Sequence, residues 1–501
     1  MNIKRIIAAL LLSSTVFTAA ACASDTSTSA ETTASGAGEA VETTAAETTT
    51  ASEYTPPKVD YEGQTFAVAS NKWDPSRRPW KICTYVDIKA EEENGDPIND
   101  ALFQRNIRVE EELNVKFTVF EITEQSRTTE MTTAVLSGDD MFKFASTNMS
   151  SLRTLLNTQG MTTDLYELPT FDYEASWWDE NSREELEIYG RLHAISGDFN
   201  LYSNGAPICN FFSKVLVENL GLDNPYDVVN DGAWTLDTML KYAEAAVKDV
   251  NGDGQMVATD DCWGLMGEAG STLQFIRSAD QRFSTRSGDG DIEIVINTEK
   301  TVNVIGKVIP FLRDKGKSLY SPDFSKQYTN VFFELLLPRF IDNNAMFFSN
   351  QLYVALELRN MEADFGILPM PKYDEKQENY VSPTNAAYHT FVIVPITNSV
   401  PEMTGNILNS LGYYSQQLIT PAFIDQTVMS KAIRDEESAE MVRMIYDTRA
   451  YDVATFYNWG NVATMVSTMT GNSSVNFASE YAAIETNILT ALNETIELLK
   501  Q

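Results

Sequence analysis

From residue 64 onward, short apolar runs alternate with longer stretches whose apolar residues recur every three or four positions. These are the patterns of buried strands and amphipathic helices. Residues 65–69 predict a strand that closes into a loop at Ser70, Asn71, Lys72 and Trp73. Ile98, Leu102, Ile107, Val109 and Leu113 fall at helical spacing, and Val115, Phe117 and Val119 then alternate along a strand over 114–122. Residues 131–136 predict a helix, and 141–145 a third apolar run that ends in a loop at Ser146, Thr147 and Asn148. Strands separated by helices of this length imply a parallel sheet with helices on its faces. Ligands on such sheets collect at the carboxyl ends of the strands, so the loops at 71–73 and 146–148 are expected ligand edges.

A second unit of the same kind starts near Asn200. It has a strand and helix over 208–220, a helix opened by Thr235 or Asp237 and running to Lys248, and a helix over 302–312. Short buried strands follow at 345–348, 365–368 and 391–394, and the chain from 437 to 501 reads as mostly helical. No internal repeat of solenoid length is visible.

Composition narrows the function. A chain of 501 residues suits two domains, and 37 Lys and Arg against 71 Asp and Glu give a net charge of −34. That balance argues against nucleic acid as a partner, because phosphate binding needs clustered cations. Only 2 His are present, which excludes a poly-histidine metal centre. The HExxH, GxSxG, GxxxxGK[ST] and GxGxxG motifs are absent, so an enzyme has no positive signal.

The N-terminus reads as an address and a tether. Lys4 and Arg5 precede an apolar run, and Thr18, Ala19, Ala20 and Ala21 lead into Cys22. Segment 1–22 resembles a bacterial lipoprotein signal, which implies acylation of Cys22 and attachment to the membrane outside the cytoplasm. Residues 23–57 form a linker rich in Ser, Thr, Ala and Glu, too polar to bury a core and expected to be disordered. The remaining Cys83, Cys209 and Cys262 are an odd set, expected as buried thiols rather than crosslinks.

Five stretches in a fixed order carry a wider resemblance. They are Ser137-Gly138-Asp139-Asp140, Leu165-Tyr166-Glu167-Leu168, residues 211–221 with Asn224-Pro225 and Trp234-Thr235, Ala345-Met346-Phe347-Phe348, and Phe365-Gly366-Ile367-Leu368-Pro369-Met370-Pro371. Over about 60–500 the chain resembles the extracellular solute-binding proteins of bacterial ABC importers, the sugar-type group that includes maltose-binding protein. The resemblance implies an α/β, two-lobe periplasmic-binding-protein-like fold (type II), with a hinge and an interlobe cleft. Lobe one is expected at 58–200 plus 389–430 and lobe two at 201–388 plus 431–501. It also implies a non-enzymatic monomer on the extracellular face of the membrane that captures a small solute, an oligosaccharide for preference, and works with importer permease subunits.

Sugar sites combine aromatic faces with planar polar groups. The expected contacts are Asn71, Lys72, Trp73, Ser146, Asn148, Asn350, Tyr353 and Trp459, with Trp459 foremost because the resemblance implies a stacking tryptophan there. Trp80, Asp74, Asn200 and Asn385 are further candidates, while Trp177, Trp178, His193 and His389 read as packing or hydrogen-bonded structural residues.

Residues 249–260 match the EF-hand calcium loop, with donors at Asp249, Asn251, Asp253, the Gln255 carbonyl and Asp260, and Gly254 at the turn. A structural calcium ion bracing this surface loop is therefore expected, with no other cofactor. A secreted carbohydrate-active enzyme and a calcium-braced adhesion or scaffold protein remain the alternatives.

Overall fold

The computed structural model describes residues 54–76, 78–123, 127–158, 160–287, 290–359, 361–385, 388–424 and 436–499. Cys22, the signal segment and linker residues 23–53 lie outside these. Residues 54–57 of the expected linker lie inside: Tyr54 stacks on Tyr413 at 4.2 Å and its hydroxyl meets that of Ser410 at 2.6 Å.

The strands are β1 (Gln64–Lys72), β2 (Val115–Thr123), β3 (Phe144–Asn148), β4 (Ile208–Ser213), β5 (Trp263–Gly267), β6 (Ser284–Arg286), β7 (Ile292–Ile294), β8 (Ser318–Tyr320), β9 (Ala345–Gln351), β10 (Phe365–Pro369), β11 (Ser382–Pro383), β12 (Thr390–Ile393) and β13 (Arg449–Ala450). The first sheet is four-stranded, in the order β12-β3-β1-β2, and the second five-stranded, in the order β10-β4-β9-β5-β8. In the first, β1 runs parallel to β2 and β3, and β12 returns antiparallel to β3. In the second, β9, β5 and β8 are parallel, while β4 and β10 are antiparallel neighbours.

Local chemistry explains the elements that frame this core. The helix Pro97–Leu113 starts where Asp96 accepts the amides of Ile98 and Asn99, with Pro97 pre-set at its first position. It stops at Asn114, which takes a left-handed φ of 49°. The helix Leu236–Ala246 is capped by Thr235, whose hydroxyl accepts the Thr238 amide. Inside the helix Pro401–Phe423, Gly412 leaves room for a tryptophan, since a Cβ there would sit 2.1 Å from Trp177 Cδ1.

Two expected loops are strand instead. β1 continues to Lys72 because its ladder with β2 runs on, pairing Asn71 with Ile122 and Lys72 with Thr123. β3 includes Ser146, Thr147 and Asn148 because β12 pairs with them from the other side. Their polarity read as loop, yet interior pairing fixes them as sheet.

The chain passes between the sheets at 200–207 and returns at 384–389. Pro207 bridges Thr384, and the Asn385 amide donates to the Ala206 carbonyl at 3.1 Å. Beside them β11 pairs in parallel with β13. The helix Pro401–Phe423 packs on Pro97–Leu113, whereas Glu436–Asp447 packs on β10 of the second sheet.

A buried polar cluster ties one side of these passages. The Asp87 carboxylate accepts the Ser146 hydroxyl and, at 3.1 Å, the Leu201 amide, and Asn200 donates to Ser146 at 3.0 Å. Arg105, fully buried, donates to the Asp87 carbonyl, to Asn106 at 3.0 Å and to Ser415 at 3.2 Å. Burial pushes the Asp87 carboxyl up to about 6, with the Ser146 bond and the Arg105 charge pulling the other way. Replacing Arg105 by Leu leaves Asp87 buried without its countercharge. Urea unfolding of Arg105→Leu is expected to show a loss of roughly 3–5 kcal/mol. Adding Asp87→Asn to that variant should recover part of the loss, and strictly additive losses would contradict the coupling.

Candidate ligand-binding site

The carboxyl ends of three strands meet at a cleft. β3 ends at Asn148, whose side chain accepts the Ser151 amide at 3.3 Å and opens the helix Met149–Leu156. β5 ends at Gly267, where a Cβ would lie 2.5 Å from Leu312 Cδ2, and the chain turns through Glu268 and Gly270 into the helix Ser271–Ser278. β9 ends at Ser349, Asn350 and Gln351.

Arg153 from the first helix, Gln274 and Arg277 from the second, and Asn385 and His389 from the return passage line a groove of about 330 Å³. Tyr451, Asp452, Asn458 and Thr464 close it from the C-terminal region. A narrower cavity of about 60 Å³, lined by Glu268, Ser349, Asn350 and Gln351, shares Gly270, Gln274 and Asn385 with the groove. The two make one cleft with walls from both sheets. A mostly preformed concavity with a few fixed polar groups is the usual form of a small-molecule site.

The wall is electrostatically organised. Arg277 pairs with the buried Asp452 at 2.9 Å, and the same carboxylate accepts the Phe283 amide at 2.7 Å and the Thr455 amide at 3.1 Å. His389 is buried, and burial first, then the charge of Arg449, hold it well below its usual value, so it is neutral. Its Nε2 meets the Ser196 hydroxyl at 2.9 Å, while its Nδ1 has no partner among the described residues. The Gln351 and Gln274 side-chain amides make no hydrogen bond among the described residues, so they stand available to a ligand. Asn350 has its Oδ1 engaged by the Gln351 amide at 2.9 Å. Burial pushes the Glu268 carboxyl up to about 7.

The expected contact residues scatter. Asn350 lines the cleft, and the further candidate Asn385 does too. Asn148 caps its helix, and Ser146 and Asn200 belong to the Asp87 cluster. Asn71 is buried, accepting the Thr147 hydroxyl at 3.1 Å, and Lys72 pairs with Glu121 at the sheet edge at 2.5 Å. Trp73 and Tyr353 pack on Tyr388 at 5.7 and 5.4 Å, and Trp80 at 5.9 Å. This aromatic cluster lies beside the passages, with Arg78 over its rings, and does not line the groove.

Trp459 is 2% exposed, stacked on Tyr457 at 5.3 Å with its indole N–H donating to Thr495 at 2.9 Å. It faces the helix Phe477–Leu499 rather than the groove, and its neighbour Asn458 takes the groove position. Trp177 and Trp178 are core, as expected, and His389 is both a hydrogen-bonded strand-edge residue and part of the groove wall. Cys83, Cys209 and Cys262 are buried free thiols.

The sequence reading missed Arg153, Gln274 and Arg277. A usable signal existed, because each sits one or two turns into a helix that follows a strand of the parallel set.

The 249–260 loop is held by its own amides. Asp249 accepts the Gly252 and Gly254 amides, each at 2.7 Å, and Asp253 accepts that of Gln255 at 2.8 Å. Asp260 faces the Thr259 hydroxyl at 2.9 Å, and Asp261, rather than Asp260, turns inward to the Val250 and Val257 amides. No group of three or more His, Cys, Asp or Glu side chains converges as a metal cage among the described residues. Asp249, Asn251, Asp253 and Asp260 are each engaged with amides or a hydroxyl of the loop itself in this structure.

A parallel sheet with one antiparallel return strand, a second sheet joined by paired passages, and a cleft at the carboxyl ends define the two-lobe periplasmic-binding-protein-like fold. Solved structures of that class match most of the chain. The galacto-N-biose-/lacto-N-biose I-binding protein of the ABC transporter from Bifidobacterium longum, in complex with lacto-N-biose, has a TM-score of 0.57 at 12% identity, covering 87% of this chain and 98% of its own. An ABC substrate-binding protein from Listeria monocytogenes in complex with cycloalternan has a TM-score of 0.52 at 12% identity, covering 87% and 98%. The GacH receptor of Streptomyces glaucescens, solved unliganded and with acarbose, has a TM-score of 0.52 at 12% identity, covering 88% and 99%. In sequence, no protein-family pattern and no curated protein matches the chain.

Two outcomes follow from these placements. Trp459→Ala should cost about 3–5 kcal/mol in a denaturant melt, as core truncations do, while leaving the ligand affinity of the folded protein unchanged. A tenfold loss of affinity would instead put Trp459 at the ligand. Glu268 is raised from 4.5 to about 7, so the folded chain keeps a proton that the unfolded chain has lost. The stability this gives is present below the unfolded value and disappears as pH rises through the folded one. Glu268→Gln should therefore gain on the natural chain between pH 4.5 and 7 by on the order of 1 kcal/mol per pH unit in matched melts; a flat difference would contradict this.

Proposed function

We propose that this chain is an extracellular solute-binding protein that captures a small saccharide between its lobes and presents it, unaltered, to the permease subunits of an ABC importer. The observation that carries the reading is the cleft itself: a groove of about 330 Å³ at the carboxyl ends of strands from both sheets, walled by Gln274, Asn385 and Asn458. The three solved structures named above are described as bound to cycloalternan, acarbose and lacto-N-biose, which supports a saccharide over other solutes. Closure of two lobes on a ligand shifts an open–closed equilibrium, and the closed form is what a permease would read.

The reading assigns no covalent step. A glycosidase needs two carboxyl groups free to act on opposite sides of a bond. Asp452 is committed to Arg277 and backbone amides, and Glu268 is the other carboxyl lining the cleft.

The proposal extends to the parts of the chain that only the sequence addresses. Acylation at Cys22 would moor the protein on the outer face of the membrane, the 23–53 segment would act as a stalk, and the protein would work as a monomer. The boundaries of 58–200 plus 389–430 and 201–388 plus 431–501 would be the two lobes. A calcium ion at 249–260 is supported by the order of its donors, since an ion would offset the repulsion of Asp249, Asp253, Asp260 and Asp261.

A thermal-shift screen of mono- and oligosaccharides tests the central part. A binder at one hundred times its Kd stabilises by about 2.7 kcal/mol, enough to raise Tm by several degrees. No shift with any saccharide would overturn the substrate class, and conversion of the saccharide to product would overturn the binding-protein reading. In the same assay EDTA should lower Tm and calcium restore it; an unchanged melt removes calcium from the loop.

A further inference from the structure

Arg153 is a cation of the cleft that no carboxylate among the described residues answers. Its Nε donates to the Phe456 carbonyl at 2.6 Å and its Nη2 to the Thr455 carbonyl at 3.1 Å. These bonds fix the plane of the guanidinium and leave Nη1 uncommitted among the described residues. Carbonyl dipoles compensate its charge only in part, and the group is half-buried in the groove wall. Arg277, by contrast, is neutralised by Asp452 at 2.9 Å. His389 on the same wall is fully buried and neutral, and its Nδ1 has no partner among the described residues. Among the described residues the groove thus carries a single unanswered positive charge, in a chain whose net charge is −34.

We propose that the captured saccharide bears a carboxylate, as a uronic acid does, and that Arg153 receives it. The inference rests on the saccharide reading above and deepens it. A guanidinium held in plane presents a fork that matches a planar carboxylate, and partial desolvation makes the pair stronger than it would be in water. One uncompensated charge balances one carboxylate. A dianion such as a sugar phosphate would exceed it and would enter against the field of a strongly acidic protein. The uncommitted Gln274 amide is then left for the ring hydroxyls.

The test uses galacturonate and an aldobiouronic acid, which carry one carboxylate each, beside their neutral methyl esters, titrated calorimetrically into the natural chain, Arg153→Met and Arg153→Lys. The natural chain is expected to bind at least one acid roughly tenfold or more tighter than its ester, with the preference weakening as salt rises. Arg153→Met should abolish that preference and Arg153→Lys keep part of it. Equal binding of acid and ester, or a preference that survives in Arg153→Met, overturns the proposal. Should Arg153→Met fail to fold, the acid-against-ester comparison on the natural chain and the Lys variant decides. Binding of neutral saccharides without acids overturns the carboxylate alone, whereas binding of neither overturns the saccharide reading as well.

Discussion

A chain that passes back and forth between two sheets must bury polar groups at the passages, and the rest of the structure depends on how those groups are satisfied. On one side Asp87, Arg105, Ser146 and Asn200 hold the outgoing passage to β3. On the other, Asp179 accepts the Tyr451 hydroxyl at 2.8 Å and pairs with Arg449 at 3.1 Å, while His389 leans on Ser196. Both clusters are hydrogen-bonded networks with carboxylates at their centres. In a low-dielectric interior such networks rigidify what they touch, because each lost partner leaves a costly orphan. The hinge is therefore specified chemically, and the backbone between the lobes has few alternative ways to settle.

The same segments set the site. Asn385 and His389 belong to the return passage, and Tyr451 and Asp452 follow β13 directly, so groups that shape the groove are fixed by the bonds that fix the hinge. A change in the relative placement of the lobes would alter the groove without unpacking either sheet. That coupling of hinge to wall is what a clamp requires. The ion pair of Arg277 with Asp452 spans the groove wall in the same way, joining the helix after β5 to the segment after β13.

Much of the fold was legible because it depends on periodicity. β1 to β3, the helix Pro97–Leu113 and the helical C-terminal region follow from alternation or helical spacing, and Thr235 announced its helix as a cap. β5 was not legible: Trp263-Gly264-Leu265-Met266-Gly267 carries two glycines, which weaken a strand pattern, and Gly264 is required because a Cβ there would lie 2.5 Å from the Ala243 carbonyl oxygen. The site was less legible than the fold. Aromatic residues in polar surroundings looked like platforms, but Trp73, Tyr353 and Trp459 are consumed by packing, as large side chains usually are. What lines the groove is instead Arg, Gln and Asn from different strand ends, brought together by topology that no local window contains. The 249–260 loop shows a third case, in which a donor spacing was visible but the direction of each carboxylate was not.

The central claim is that two α/β lobes hold one small saccharide and release it intact. Native mass spectrometry after dialysis against a mixture of neutral and acidic oligosaccharides addresses it most directly. The claim predicts a single saccharide retained per chain, with its mass unchanged on release. A chain that retains nothing, or returns shortened saccharides, would contradict it.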